Sequence, residues 1–91
     1  MKIEQEMTIY TAADLWKSLS AYAQGIPNGE NCKLDLSGVP ELDTAGAQIL
    51  LMTRTVAVSR GNQFYIENIS QPAKESLDLL GLASNLLPAG S

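Results

Sequence analysis

Residues 33–46 read KLDLSGVPELDTAG, in which a strand, a short connection and the start of a helix follow one another. Leu34 and Leu36 alternate with polar residues, a pattern typical of a half-buried strand whose leucines face the core. Asp43 is a favoured N-cap, because its carboxylate accepts from first-turn N–H groups and its charge suits the positive end of a helix. The stretch therefore predicts a strand that leads, through a connection, into a helix beginning at Thr44.

The flanking sequence predicts further helices and strands in alternation. Apolar spacing, caps and stop signals predict helices over residues 11–25, 44–59 and about 71–80, the first of them capped by Thr11. Apolar alternation predicts strands over residues 1–9, 32–37 and 63–66. The apolar segment 86–88 is expected to pack back on the domain. Such alternation is typical of an α/β layer with helices against a sheet.

Composition indicates a globular protein. Hydrophobic residues make up 45% of the 91-residue chain and charged residues 18%, values that do not fit a disordered chain. A chain of this length fits a single domain, residues 1–91. No apolar run reaches the roughly 20 residues that cross a bilayer, and the acidic, polar start lacks the apolar segment of a signal peptide. We therefore predict a cytoplasmic protein without direct membrane insertion.

Charge and side-chain chemistry exclude several classes of function. The net charge is −4, and the six basic residues are scattered along the chain, so the basic stripe needed to bind nucleic acid is missing. The chain has no histidine and one cysteine, Cys32. These counts leave no Ser-His or Cys-His pair and no common zinc set. We predict no enzyme activity, no metal and no cofactor, and we expect Cys32 to be a buried small hydrophobe.

Several residues have two open interpretations from the sequence. Thr44 follows a cap and is explained by capping alone, or it is a modifiable hydroxyl at a helix N-terminus, where a phosphoryl group is favoured. Trp16 is a core residue or a binding anchor. The apolar residues of the helix from Thr44 are too many for one stripe, so Met52 and Val56 either complete the core or form a docking face. Tyr10 and Tyr65 fit half-buried sheet positions or partner contacts.

Three acidic residues within residues 33–46 are explained without a metal site. Asp35, Glu41 and Asp43 could be drawn as a cluster. Alternation places Asp35 on the face opposite Leu34 and Leu36, however, so the sequence favours solvated or capping roles for these carboxylates.

The run from Lys33 to Gly46, followed by Ile49-Leu50-Leu51, resembles the STAS domain, the family of the bacterial anti-sigma-factor antagonists. The hallmark of that family is Asp-Ser/Thr-x-Gly at the start of a helix that follows a strand. The resemblance covers roughly residues 7–87. It implies a mixed sheet of about four strands, with three to four helices packed mainly on one side. Few residues precede Thr11, so the first strand hairpin of the family is expected to be shortened.

The resemblance also implies a site. Thr44 would be phosphorylated by a serine/threonine kinase that is itself the binding partner, and phosphorylation would release that partner. The resemblance implies that three residues support the helix cap and the switch loop, Asp43, Ala45 and Gly46. It implies that partner docking involves Ala47, Gln48, Leu51 and Met52.

Two functions stay open at this point. One is a phospho-regulated interaction module in bacterial signalling, as an anti-sigma-factor antagonist or a chemotaxis-associated partner switch. The other is a constitutive subunit of a lipid-transporting ABC complex, where the domain binds the ATPase and supports its assembly. The short form that contains Gln48 resembles members of the chemotaxis-associated and lipid-transport groups.

Overall fold

Four helices and two strands follow one another in residues 1–87, the part of the chain that the computed structural model describes. The elements are α1 (Ala12–Gly25), β1 (Asn31–Leu36), α2 (Thr44–Ser59), β2 (Gln63–Ile69), α3 (Gln71–Leu79) and α4 (Ala83–Leu86). The predicted α/β alternation, the three predicted helices and two of the predicted strands are confirmed. The short α4 brings the count in the described residues to four, within the three to four helices that the resemblance implied, although its position was not predicted.

The sheet has fewer strands than expected. β1 and β2 pair in parallel, and they are the only strands among the described residues, where about four were predicted. The predicted strand over residues 1–9 is reduced to two isolated bridges, Lys2 with Asp35 and Met7 with Leu42. The segment crosses from β1 to the connection after it, so it meets two different partners and cannot build a continuous ladder.

One face of the sheet is buried and the other is exposed. Cys32, Leu34 and Leu36 are fully buried on β1, whereas Lys33 is exposed. On the exposed face, the Lys33 ammonium lies 3.8 Å from the carboxylate of Glu67 on β2. The inward positions of Leu34 and Leu36 are as predicted.

Two helix ends follow local chemistry, whereas the cap predicted at Thr11 does not form. Ser70 caps α3, its hydroxyl accepting from the Ala73 N–H at 3.3 Å, and Gly61 takes the left-handed φ of 79° that ends α2. Thr11, in contrast, makes no side-chain cap bond to α1. Its hydroxyl donates to the Glu6 carbonyl at 2.8 Å, so the predicted capping role is wrong because the preceding turn uses that group.

The end of the described chain packs on the core. Leu86 and Leu87 are buried, as predicted for the apolar segment at residues 86–88. Pro88, the last residue of that prediction, lies outside the described residues.

Candidate functional site

Asp43 joins the start of α2 to the segment before α1. One carboxylate oxygen, Oδ1, accepts from the Gly46 N–H at 3.1 Å, which is the predicted cap. The other, Oδ2, accepts from the Ile9 N–H at 3.1 Å. The backbone also joins these two segments, because the Asp43 N–H donates to the Met7 carbonyl at 3.1 Å. The sequence predicted the cap but not the bond to Ile9, which links residues 34 positions apart.

Gly46 is required by the close passage of the N-terminal segment. A Cβ built at position 46 would lie 2.8 Å from the Met7 Cβ and closer still to the Met7 carbonyl oxygen. Met7 cannot move away easily, since its N–H donates to the Glu41 carbonyl at 2.8 Å and its carbonyl accepts from Asp43. The glycine of the Asp-Thr-Ala-Gly motif therefore leaves the space that the Met7 backbone occupies.

Thr44 is exposed at the first residue of α2, where the sequence placed it. N–H groups in the first turn of a helix have no carbonyl partner within the helix. A hydroxyl at this place can therefore carry an anionic group near the positive end of the helix dipole. Thr44 also shares one face of α2 with Gln48, Leu51 and Thr55, because residues three and four apart are neighbours on a helix.

An open groove lies on this face of α2. It has a volume of about 380 Å³, and its lining consists of Trp16, Gln48, Leu51, Met52, Thr55 and Val56. Met52 is 40% exposed and Trp16 is half-buried. The hydroxyl of Thr55 donates to the Leu51 carbonyl at 3.0 Å, which satisfies that donor within the helix. The groove is thus mainly apolar, and Gln48 in its lining follows Thr44 by about one helical turn.

Three of the four predicted docking residues line this groove, and one does not. Gln48, Leu51 and Met52 border it. Ala47 is 0% exposed and belongs to the hydrophobic core, so its predicted docking role is wrong. Ala45 is half-buried at the first turn. Trp16 packs against the core, as one of its two interpretations expects, and it also lines the groove; its role as a binding anchor stays a prediction.

Two large side chains next to this site are exposed. Ile9 is 70% and Tyr10 89% exposed, and we call this pair the Ile9–Tyr10 tip. Residues 8–11 form a turn rather than a sheet segment, with the Tyr10 N–H donating to the Thr8 hydroxyl at 3.3 Å. Of the two interpretations of Tyr10, the half-buried sheet position is therefore wrong, and the partner contact stays a prediction. The sequence signal was the pair Thr8 and Thr11, whose hydroxyls can bond to turn backbone.

The remaining candidate groups do not gather into a reactive centre. Cys32 is fully buried, as predicted, and burial raises the pKa of its thiol. Hydrogen bonds from Ser37 lower the pKa of Asp35, with Asn68 and Lys2 adding to the effect. Within residues 1–87 no group of three His, Cys, Asp or Glu side chains is placed to hold a metal ion.

None of the helices in the described part of the chain is both long enough and apolar enough to cross a membrane.

A family model described as "Mlab, STAS domain" matches residues 1–88. No curated protein is significantly similar to the chain. STAS domains are in general binding modules that mediate protein–protein interactions, of the anti-sigma-factor-antagonist or signalling kind. Because the match covers nearly the whole sequence and includes the Asp43–Gly46 turn, the chain belongs to the STAS domain family.

Proposed function

We propose that this protein is a phospho-regulated protein–protein interaction module in bacterial signalling, with Thr44 as its phosphorylated residue. One observation carries the proposal: Thr44 is exposed at the first residue of α2, about one helical turn before an apolar groove that is lined by Gln48, Leu51 and Met52. A modifiable hydroxyl and an apolar surface thus occur together on one helix face. A partner seated in the groove would come close to any group attached to Thr44.

The groove is suited to a protein partner. Met52 is 40% exposed although it is large and apolar, and it lines the groove together with Trp16 and Leu51. Apolar side chains that cluster on a surface mark interaction sites more often than single exposed ones do. Aromatic residues contribute strongly where such surfaces bind. We therefore place the partner contact along α2, from Thr44 to Met52.

A phosphoryl group on Thr44 would change the surface more than the fold. It would add about −1.5 to −2 charges and three acceptor oxygens. The first-turn N–H groups of α2 would favour the anion, whereas the neighbouring Asp43 carboxylate would repel it. A partner that seats apolar groups against Leu51 and Met52 would have to desolvate this charge, so the modified form is expected to bind more weakly.

The partner of this module is proposed to be a serine/threonine kinase or another signalling protein. A kinase would bring its own ATP and metal ion, and this chain would be its substrate. An anti-sigma-factor antagonist and a chemotaxis-associated switch both satisfy that description.

A second candidate is a constitutive subunit of a lipid-transporting ABC complex that binds the ATPase. Residues 1–9 make two isolated bridges and build no hairpin, which fits this candidate as well as it fits a chemotaxis-associated switch. In that role the groove would bind continuously, and charge at Thr44 would have no effect on the complex.

The two candidates differ in a co-purification experiment. Tagged wild type, Thr44→Ala and Thr44→Glu are recovered from native cells, and their partners are quantified by mass spectrometry. The control is Ser84→Glu, which adds the same charge to an exposed residue in the first turn of α4. Selective loss of a signalling partner from Thr44→Glu supports the switch. Equal recovery of an ATPase by all four chains supports the constitutive subunit and contradicts the switch.

A further inference from the structure

We propose that Asp43 is a positioning residue that couples charge at position 44 to the Ile9–Tyr10 tip. The coupling deepens the proposed function, and it rests on that function for the modification of Thr44. Its basis is the Asp43 carboxylate, which accepts one hydrogen bond from α2 and one from the tip.

The tip depends on Asp43 for its connection to α2. Three amides of the turn are satisfied within it: Thr8 N–H donates to the Thr11 hydroxyl at 3.0 Å, Tyr10 N–H to the Thr8 hydroxyl at 3.3 Å, and Thr11 N–H to the Thr8 carbonyl at 3.0 Å. The Ile9 N–H differs, because it donates out of the turn to Asp43 Oδ2 at 3.1 Å. The Ile9 amide therefore reports directly on the link between the tip and α2.

Charge on Thr44 acts on this carboxylate in two ways. The neighbouring negative groups repel each other, which favours a rotation of the Asp43 side chain. The phosphoryl oxygens also compete for the first-turn N–H groups, including the Gly46 N–H that now donates to Asp43 Oδ1 at 3.1 Å. Both effects draw the carboxylate out of its present position. The bond from Ile9 to Oδ2 is weakened as a result, and the tip loses its attachment.

The consequence is a change in the surface that a partner meets. Ile9 and Tyr10 are 70% and 89% exposed, and the backbone of Asp43 pairs with Met7, two residues before the tip. Releasing the Ile9 bond leaves the tip held only by bonds within its own turn and by the segment on either side. Modification of one hydroxyl is thereby converted into a displacement of two large apolar side chains.

Amide hydrogen exchange of the ¹⁵N-labelled protein tests the coupling. Wild type is compared with Thr44→Glu and with a chain that carries phosphothreonine at position 44. Loss of a charge-assisted bond is expected to speed exchange of the Ile9 amide by about five- to tenfold, while the Thr8, Tyr10 and Thr11 amides change by less than about twofold. Unchanged Ile9 exchange in the phosphorylated chain overturns the proposal.

The Asp43→Asn substitution distinguishes two roles of Asp43: transmitting charge at position 44 to the tip, or only holding the tip in place. Asparagine is a good N-cap and keeps one oxygen for the Gly46 N–H, but its NH₂ group cannot accept from Ile9. In this background the Ile9 amide is expected to exchange fast already, and adding Thr44→Glu should change it by less than about twofold. A full response to Thr44→Glu in the chain that carries Asp43→Asn would show another route and overturn the proposal.

Partner affinity, measured on the same samples, reports on the proposed function separately. Weaker binding by the phosphorylated chain with unchanged Ile9 exchange would overturn the coupling and leave the switch standing. Faster Ile9 exchange with unchanged affinity would support the coupling and overturn the switch.

Discussion

The Met7 backbone lies so close to Gly46 that a Cβ at position 46 would be 2.8 Å from the Met7 Cβ. The N-terminal segment therefore packs closely against the first turn of α2. Because Thr44 and Asp43 belong to the same turn, the geometry of the candidate site depends on residues that precede α1.

Gly46→Ala is expected to destabilise the protein. Alanine normally favours a helix by about 1 kcal/mol over glycine, but here the new Cβ collides with the Met7 backbone, which is held on both sides. Net destabilisation of at least about 2 kcal/mol is expected in urea unfolding. The control is Gly25→Ala, whose Cβ would meet nothing within 4 Å. If both substitutions had the same small effect, the close passage of Met7 would be wrong.

Met52→Ala is expected to weaken partner binding with little change in the free energy of unfolding. Met52 is 40% exposed and lines the groove, so its removal takes away contact surface rather than core. A loss of affinity of about five- to tenfold is expected by calorimetry. Val58→Ala is the matched control, because Val58 is 55% exposed on the same helix and does not line the groove. Equal effects of the two would exclude the groove as the contact.

Cys32 is expected to resist thiol reagents in the folded protein. It is fully buried, and burial raises the pKa of its thiol, so both access and thiolate are reduced. The raised pKa also determines how the stability of the fold changes with pH. Below the unfolded pKa the thiol is neutral in both states; as the pH rises from there through the folded pKa, only the unfolded state ionises readily, and stability is lost.

Two measurements check the behaviour of Cys32. Reaction with a disulfide reagent should be slow in buffer and fast in denaturant. The fall in unfolding free energy at alkaline pH should be smaller for Cys32→Ala than for wild type. Rapid labelling of the native protein would contradict the burial.

Asp35 is expected to contribute stability that acid removes. Hydrogen bonds from Ser37 lower its pKa, the Ser37 N–H lying 2.8 Å from Oδ1. A lowered pKa stabilises the fold above the unfolded pKa of about 3.9, and this contribution disappears as the pH falls through the folded pKa. The difference in unfolding free energy between wild type and Asp35→Asn should thus be largest near neutral pH and shrink in acid. A difference that is constant with pH would contradict this role.

The helix start was predictable because its determinants are local. Asp43 caps the turn that begins one residue later, and the alternation of Leu34 and Leu36 reports directly which face of β1 is buried. The number of strands was not predictable, because the pairing of residues 1–9 depends on distant partners such as Asp35 and Leu42. A local pattern of apolar residues cannot tell a ladder from two bridges.

The candidate site was predictable only in part for the same reason. α2 is apolar around much of its circumference, so the sequence could not separate Ala47, which faces the core, from Leu51, which borders the groove. The bond from Ile9 to Asp43 joins residues far apart in the chain, and no local pattern indicates it.

The effect of Thr44 phosphorylation on partner binding is tested most directly by titrating one purified partner with two forms of this protein. The forms are the unmodified chain and a chain with phosphothreonine at position 44, and the partner is the protein recovered by co-purification. We expect the unmodified chain to bind and the phosphorylated chain to show a Kd at least about tenfold higher, equivalent to about 1.4 kcal/mol. Equal Kd values for the two forms would contradict the role of Thr44 as a switch.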